Sequence, residues 1–130
     1  MKLSTFLSIV GIVSILFGIG FVAVPAEVLA QYGVPGDQYT IFMSRFFGGA
    51  LVQIGMLVWL ARNIVDSLGR RSIVLSGLIG MAIGFGVALC GQMSGVVNAL
   101  GWSTVAIYAL FAIGFAYFQF AAKGPSSPAL

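Results

Sequence analysis

The chain has 130 residues, of which 60% are hydrophobic and 7% are charged, and its net charge is +3. A soluble domain carries about 25% charged residues, and six basic and three acidic side chains are too few to cover a water-facing surface. The composition therefore excludes an ordinary soluble domain. It indicates that lipid surrounds most of the chain and that too few residues remain outside the apolar segments for a separate aqueous domain.

The side-chain inventory excludes several kinds of chemistry as well. The chain has no histidine and a single cysteine, Cys90, so the usual ligands of metals and haem and the usual proton carrier at neutral pH are missing. The glycines show no phosphate-binding pattern, and the basic residues stand at the ends of apolar segments. We therefore expect no metal, no cofactor and no nucleic acid.

The first apolar segment covers residues 3–24, between Lys2 and Pro25. A run of about 20 apolar residues is long enough to cross a bilayer, where the backbone must be helical to satisfy its own hydrogen bonds. A cleaved secretory signal is the alternative, because a basic residue precedes the run. The run is longer than a typical signal core, so we predict a retained transmembrane helix.

The connection after this helix has its own helical pattern. Pro25 suits the first position of a helix, and Glu27 favours the positive end of its dipole. The sequence predicts a short helix over residues 25–32, lying at the membrane interface. Asp37 is a suitable N-cap for the helix that follows.

Three more transmembrane helices are predicted at residues 41–61, 73–93 and 102–122. Between the second and third, Arg62, Asp66 and Arg70 recur every four residues, which predicts that the second helix continues beyond the membrane until Gly69 ends it. The tail at 124–130 is predicted to be disordered. Residues 1–130 thus form a single membrane domain, an all-α integral membrane four-helix bundle with a short interfacial helix.

The basic residues predict the orientation of the bundle. With four crossings, the two termini and the 62–72 connection share one side of the membrane. That side holds Lys2, Arg62, Arg70, Arg71 and Lys123. Because basic residues concentrate on the cytoplasmic side, we expect both termini in the cytoplasm and the protein in a bacterial inner membrane.

Small residues at helical spacing predict how the helices pack, because they let backbones approach each other in lipid. They are Gly11 and Gly18 in the first helix, Gly48 and Gly55 in the second, and Gly77, Gly80, Gly84 and Gly91 in the third. Spacings of four and seven residues fit left-handed packing. The partner of these faces is either another helix of the same chain or a neighbouring subunit, so a homo-oligomer or a larger membrane complex remains open.

Arg45 is the most costly residue in the predicted bundle, because a guanidinium inside hydrocarbon is unfavourable. It could pair with Glu27 or Asp37 and pin the interfacial helix, or it could anchor an anionic headgroup, a quinone or a carboxylate. Gln53 lies eight residues further along the same face, so both side chains could point into one cavity. A glutamine could equally form a hydrogen bond between helices.

One stretch of sequence carries a family resemblance. It consists of Pro25 and the stretch ending in Tyr32 and Gly33, followed by Ser44, Arg45, Phe46, Phe47, Gly48, Gly49 and Ala50. With these residues the chain resembles small four-span bacterial membrane proteins and, more distantly, the DoxX-like group, over about residues 5–120. The resemblance implies the four-span topology, and Arg45 is the one residue to which it implies a shared role. Some DoxX-like proteins are membrane subunits associated with quinone-linked sulfur oxidation.

Two functions follow from these patterns. The first is a noncatalytic accessory or assembly subunit, because the chain has no cluster able to act as acid, base, nucleophile or metal site. The alternative is a binder or carrier of a lipid, a quinone or an organic anion, with a cavity near Arg45 and Gln53. An enzyme is not expected, since it would need a cofactor held by another subunit.

Overall fold

A computed structural model describes residues 1–121, and this part of the chain is all-helical. The helices are α1 (Leu3–Ala23), α2 (Pro25–Gln31), α3 (Gln38–Leu60), α4 (Ser67–Met93) and α5 (Gly101–Ala116). A short 3-10 helix, Ala61–Asn63, continues α3, and a π-helical segment, Tyr117–Ala121, continues α5. Four of these helices are long and apolar enough to cross a membrane: α1, α3, α4 and α5, with α3 and α5 counted together with their extensions. The all-helical class with four long apolar helices is therefore confirmed.

The start of α3 is set by its N-cap rather than by hydrophobicity. The predicted span begins at residue 41, where the apolar run starts, whereas α3 begins at Gln38. The Asp37 carboxylate accepts hydrogen bonds from the backbone N–H groups of Tyr39 and Thr40, at 2.9 and 3.0 Å. These bonds satisfy N–H groups that have no partner within the helix, so the polar first turn is helical too. At the other end of the chain, residue 122 of the predicted fourth span and the predicted disordered tail at 124–130 lie outside the described residues.

The connection between α3 and α4 corrects the prediction of one continuous charged helix. Instead, α3 ends at Leu60 and the chain becomes extended at Asp66, whose carboxylate accepts a hydrogen bond from the Gly69 N–H at 2.6 Å. Gly69 therefore lies in the first turn of α4 and does not end α3. An N-cap stabilises a helix start by about 1 kcal/mol, more than the few tenths of an exposed ion pair at four-residue spacing.

The long helices pack in two pairs, α1 with α3 and α4 with α5. In the first pair, Gly11 faces Gly55 and Gly18 faces Gly48. The two backbones approach each other closely at these four positions, because no side chain separates them.

Aromatic rings join the two pairs at the end of the bundle that holds Met1, which we call the N-terminal end. The Phe6 ring of α1 meets the Phe115 ring edge-on, with the ring centroids 4.9 Å apart, and lies 5.4 Å from the Phe118 ring. Leu7 and Val10 beside Phe6 are fully buried. The largest fully buried side chains of the described residues, Leu7, Val10 and Phe115, all belong to this cluster.

Hydrogen bonds join the pairs at the opposite end, which we call the α2 end. The Asn98 backbone N–H donates to the Tyr32 carbonyl oxygen at 2.9 Å, and the Asn98 side-chain amide donates to the Gln31 carbonyl oxygen at 3.1 Å. The Asn98 side chain packs against Gly33, which has a positive φ of 72°. The loop between α4 and α5 is thereby attached to the end of α2.

Candidate functional site

A cavity of about 300 Å³ lies between the two helix pairs. We call it the inter-pair cavity. It is lined by Val13, Ser14, Phe17 and Phe21 of α1, by Leu29, Tyr32 and Val34, by Phe47 and Leu51 of α3, by Met81, Val87, Ala88 and Gly91 of α4, by Val97, and by Gly101, Thr104, Ile107, Tyr108 and Phe111 of α5. Most of these residues belong to the half of each helix nearer the α2 end. The cavity thus begins where the Phe6 cluster stops.

The packing within each pair explains why this space stays open. Gly18 of α1 is turned toward α3, and the Tyr108 ring of α5 lies directly against Gly84 of α4. Between the long helices, the close contacts of this half are therefore made inside the pairs. At the N-terminal end, the Phe6 ring of α1 reaches α5 and fills the space between the pairs. Nearer the α2 end, the side chains of α1 line the space between the pairs without filling it.

Four hydroxyl groups belong to the lining, and no lining residue is charged. The Thr104 hydroxyl donates a hydrogen bond to the Tyr32 phenol oxygen at 3.1 Å. Ser14 is only 6% exposed, and within residues 1–121 neither its hydroxyl nor that of Tyr108 has a hydrogen-bond partner. The cavity therefore combines a hydrocarbon wall with a few uncharged groups able to donate hydrogen bonds.

The cavity reaches the protein surface through the helix wall. Phe47 of α3 and Val87 of α4 line it and are 45% and 69% exposed. At the α2 end, in contrast, the lining includes Leu29, which is buried, and Tyr32, which is tied to Asn98. A molecule that enters from the side, between helices, meets exposed apolar side chains first.

None of the four polar residues predicted as a site lines the inter-pair cavity. Arg45 and Gln53 are exposed on α3 and do not line the inter-pair cavity, because α3 turns Gly48 and Gly55 toward α1. Glu27 is exposed on α2. No ion pair within 4.0 Å joins Arg45 to an acid in the described part of the chain. The predicted contact between Arg45 and Glu27 is thus not formed.

Asp37 acts locally, as the cap of α3. The backbone N–H of Thr40 hydrogen bonds to its carboxylate and is the main reason that the pKa of Asp37 lies below its usual value of 3.8. The Thr40 hydroxyl also donates to this carboxylate, at 2.8 Å, and lowers the pKa further. Hydrogen bonds to the charged form stabilise it.

The glycines predicted as packing residues divide into two groups. Gly11, Gly18, Gly48 and Gly55 lie in the α1–α3 contact, while Gly77 and Gly84 lie against aromatic rings of α5. For Gly80 and Gly91, a Cβ would meet nothing within 4 Å. Of the two predicted partners, a helix of the same chain is therefore not in contact with these two glycines in the described bundle. At about 100° per residue Gly80 lies roughly 60° around α4 from Gly77, outside the single face that meets α5.

Sequence reasoning missed the hydroxyl groups of the cavity. It assigned no binding role to Ser14, Tyr32, Thr104 or Tyr108. Tyr108 carries the clearest signal, since it lies seven residues inside α5, away from the interface where tyrosine is common.

Comparison with known proteins gives no match: no protein-family model, no curated protein and no solved structure is significantly similar to the chain. The resemblance to the DoxX-like group stays a prediction.

Proposed function

We propose that the protein is a multi-pass protein of a bacterial inner membrane, with α1, α3, α4 and α5 as its crossings. Each of these helices has large apolar side chains on its outer surface, such as Leu16, Phe46, Ile83 and Leu110, all exposed. Outward-facing residues of this kind are unfavourable in water and favourable in lipid. Four helices of sufficient length and hydropathy support the same placement.

The proposed orientation has the N-terminal end of the bundle, and with it both termini, on the cytoplasmic side. Lys2, Arg62, Arg70 and Arg71 lie at this end, whereas the loops at the α2 end have no basic residue. Juxtamembrane basic residues favour the cytoplasmic side.

Single-cysteine labelling in cells tests this orientation. In a Cys90→Ala background, Gln31→Cys reports the α2 end and Val65→Cys reports the N-terminal end, since both positions are exposed. A membrane-impermeant maleimide should label Gln31→Cys in intact cells and Val65→Cys only after permeabilisation. The reverse pattern would invert the topology, and labelling of both in intact cells would rule out the four crossings.

Within the membrane, the protein binds one hydrophobic small molecule in the inter-pair cavity and performs no chemistry on it. The observation that carries this proposal is a 300 Å³ space with an uncharged lining that opens between helices. Its volume lies at the lower end of the range of known ligand sites, about 300–1,000 Å³. The site lies away from Arg45 and Gln53, so an anionic group held by Arg45 is not part of this function.

Copurification of the ligand tests the proposal. Protein extracted in a mild detergent is expected to retain one class of lipid-like molecule, near one per chain, measured by mass spectrometry of an organic extract. Ala88→Phe fills the cavity and should abolish this retention, while Ala82→Phe, on the exposed side of the same helix, should not. Equal retention by two well-folded variants would exclude the cavity as the site.

An accessory or assembly subunit is the second candidate, and the outer surface of the bundle favours it. Gly80 and Gly86 of α4 meet nothing within 4 Å, and Gln53 of α3 is exposed at a depth where hydrocarbon offers no hydrogen bond. A homo-oligomer or a larger complex would cover such groups. Recovery of a monodisperse monomer without a stoichiometric partner, from several mild detergents, would count against this role.

A further inference from the structure

We infer that the ligand of the inter-pair cavity is an uncharged, single-chain molecule whose carbonyl oxygen accepts a hydrogen bond from the Ser14 hydroxyl. This inference rests on the proposed function and specifies the class of ligand. It depends on three properties of the cavity: its size, the absence of charge from its lining, and the depth of its hydroxyl groups.

The cavity has room for one chain between the helix pairs. An engineered cavity of about 150 Å³ holds a benzene molecule, so about 300 Å³ accommodates roughly twice as many non-hydrogen atoms, or about a dozen. This corresponds to a single medium-length hydrocarbon chain. A phospholipid with two full chains exceeds this volume.

The lining selects against an ionised group. Every lining residue is uncharged, and Arg45, the cation in the apolar part of α3, is not among them. Moving a carboxylate or a phosphate into such surroundings is strongly unfavourable when no cation accompanies it. A neutral polar group meets no such penalty, provided that it forms a hydrogen bond.

Ser14 supplies that hydrogen bond at a defined depth. Its side chain is more than nine-tenths buried, lines the cavity, and has no hydrogen-bond partner among residues 1–121. It lies nine residues before the end of α1, or roughly 13 Å from the α2 end at 1.5 Å per residue. The carbonyl group of the ligand is thus placed near the middle of the bundle.

The surrounding hydroxyl groups favour an acceptor over a donor on the ligand. The Tyr108 hydroxyl makes no hydrogen bond within the described residues, and the Tyr32 oxygen already accepts one from Thr104, so both retain a proton to donate. The helical backbone carbonyls are engaged in the helices themselves. These hydroxyl oxygens could also accept a hydrogen bond. An unpaired buried donor is rarer in proteins than an oxygen with a spare lone pair, so a ligand that brings an oxygen acceptor complements the lining better than one that brings only a donor.

Three matched probes test the inference: decan-2-one, which has a chain and a carbonyl group; decane, which has the chain alone; and decanoate at neutral pH, which adds a charge. Each is added at equal mole fraction to the protein in detergent micelles, and its affinity is obtained from the rise in unfolding temperature. Decan-2-one should bind roughly fivefold more tightly than decane, as one additional net hydrogen bond implies. Decanoate should bind more weakly than either.

Two serine variants assign the effect to its residue. Ser14→Ala removes no hydrogen bond of the described structure, so it should fold normally and abolish the preference for decan-2-one over decane. Ser8→Ala, in the same helix but outside the cavity, should keep the preference. If wild-type protein binds the two probes equally, or prefers decanoate, the ligand class is wrong while the cavity site stands. If no probe distinguishes wild type from Ala88→Phe, the proposed function itself fails.

Discussion

Gly18 of α1 and Gly48 of α3 face each other so closely that a Cβ built on either residue would lie 2.7 Å from the carbonyl oxygen of the other. The relationship recurs seven residues away, where a Cβ on Gly11 would lie 3.0 Å from the Gly55 carbonyl oxygen. Because the obstacle in each case is backbone, no side-chain rotation can relieve it. The α1–α3 contact therefore requires glycine at these positions.

The two adjacent glycines of α3 give a matched test of this contact. Gly48→Ala should lower the free energy of unfolding by about 2 kcal/mol, the usual cost of overpacking. The Cβ added by Gly49→Ala would meet no atom within 4 Å. This substitution should therefore be neutral or stabilise the protein by up to about 1 kcal/mol, because alanine favours the helix. Thermal unfolding in detergent measures both. Equal effects at the two positions would mean that α1 and α3 do not pack in this way.

The Phe6 ring holds the two helix pairs together. Phe6→Ala removes the edge-on contact with Phe115 and should lower the free energy of unfolding by about 3 kcal/mol, mostly through the cavity left behind. Phe42→Ala is the control, since this ring is 61% exposed and lies outside the core cluster. A Phe6→Ala protein as stable as Phe42→Ala would place the junction of the pairs elsewhere.

Much of the fold was predictable from local signals along the chain. Uncharged apolar runs locate the four long helices, Pro25 marks the start of α2, and Asp37 marks the cap of α3. The break before α4 differs from the prediction because Asp66 caps a new helix, whereas the regular charge spacing between Arg62 and Arg70 predicted a continuous one. Both signals are present in the sequence, and the cap has the larger free energy.

The site could not be predicted in the same way, because it arises from the gap between two helix pairs. A hydropathy pattern does not say which face of an apolar helix meets a neighbour, so the eight-residue spacing of Arg45 and Gln53 predicted one cavity for both side chains. The structure turns the Gly48 and Gly55 face of α3 toward α1 instead. Ser14 resembles any small packing residue until the distance between the pairs is known.

Asn98 closes the α2 end, and its loss should loosen that end alone. Asn98→Ala removes the side-chain hydrogen bonds to the Gln31 carbonyl oxygen and from the Leu100 N–H, so local stability should fall by about 1 kcal/mol. Hydrogen–deuterium exchange should become faster in residues 25–33 and 94–100. Asn63→Ala, at the N-terminal end, should leave exchange in both segments unchanged. Faster exchange in the two segments for Asn63→Ala as well would contradict a local role for Asn98.

Asp37 makes the stability of the α3 start depend on pH. Because hydrogen bonds from Thr40 and Tyr39 hold the pKa of Asp37 below 3.8, the folded protein favours the ionised carboxylate. This contribution is complete above the unfolded pKa, about 3.9, and is lost as the pH falls through the lowered pKa of the folded state. Asp37→Asn retains a capping oxygen but does not titrate.

The unfolding temperature of wild type should therefore exceed that of Asp37→Asn at about pH 6, and the difference should shrink as the pH falls to about 3. Thr40→Val removes the hydroxyl that donates to the carboxylate at 2.8 Å and leaves the backbone N–H in place. In the Thr40→Val background, the difference in unfolding temperature between the proteins with Asp37 and with Asp37→Asn should change less with pH. The reason is that fewer hydrogen bonds then favour the ionised carboxylate. A difference between wild type and Asp37→Asn that stays constant over this pH range would show that the charge of Asp37 contributes nothing to the cap.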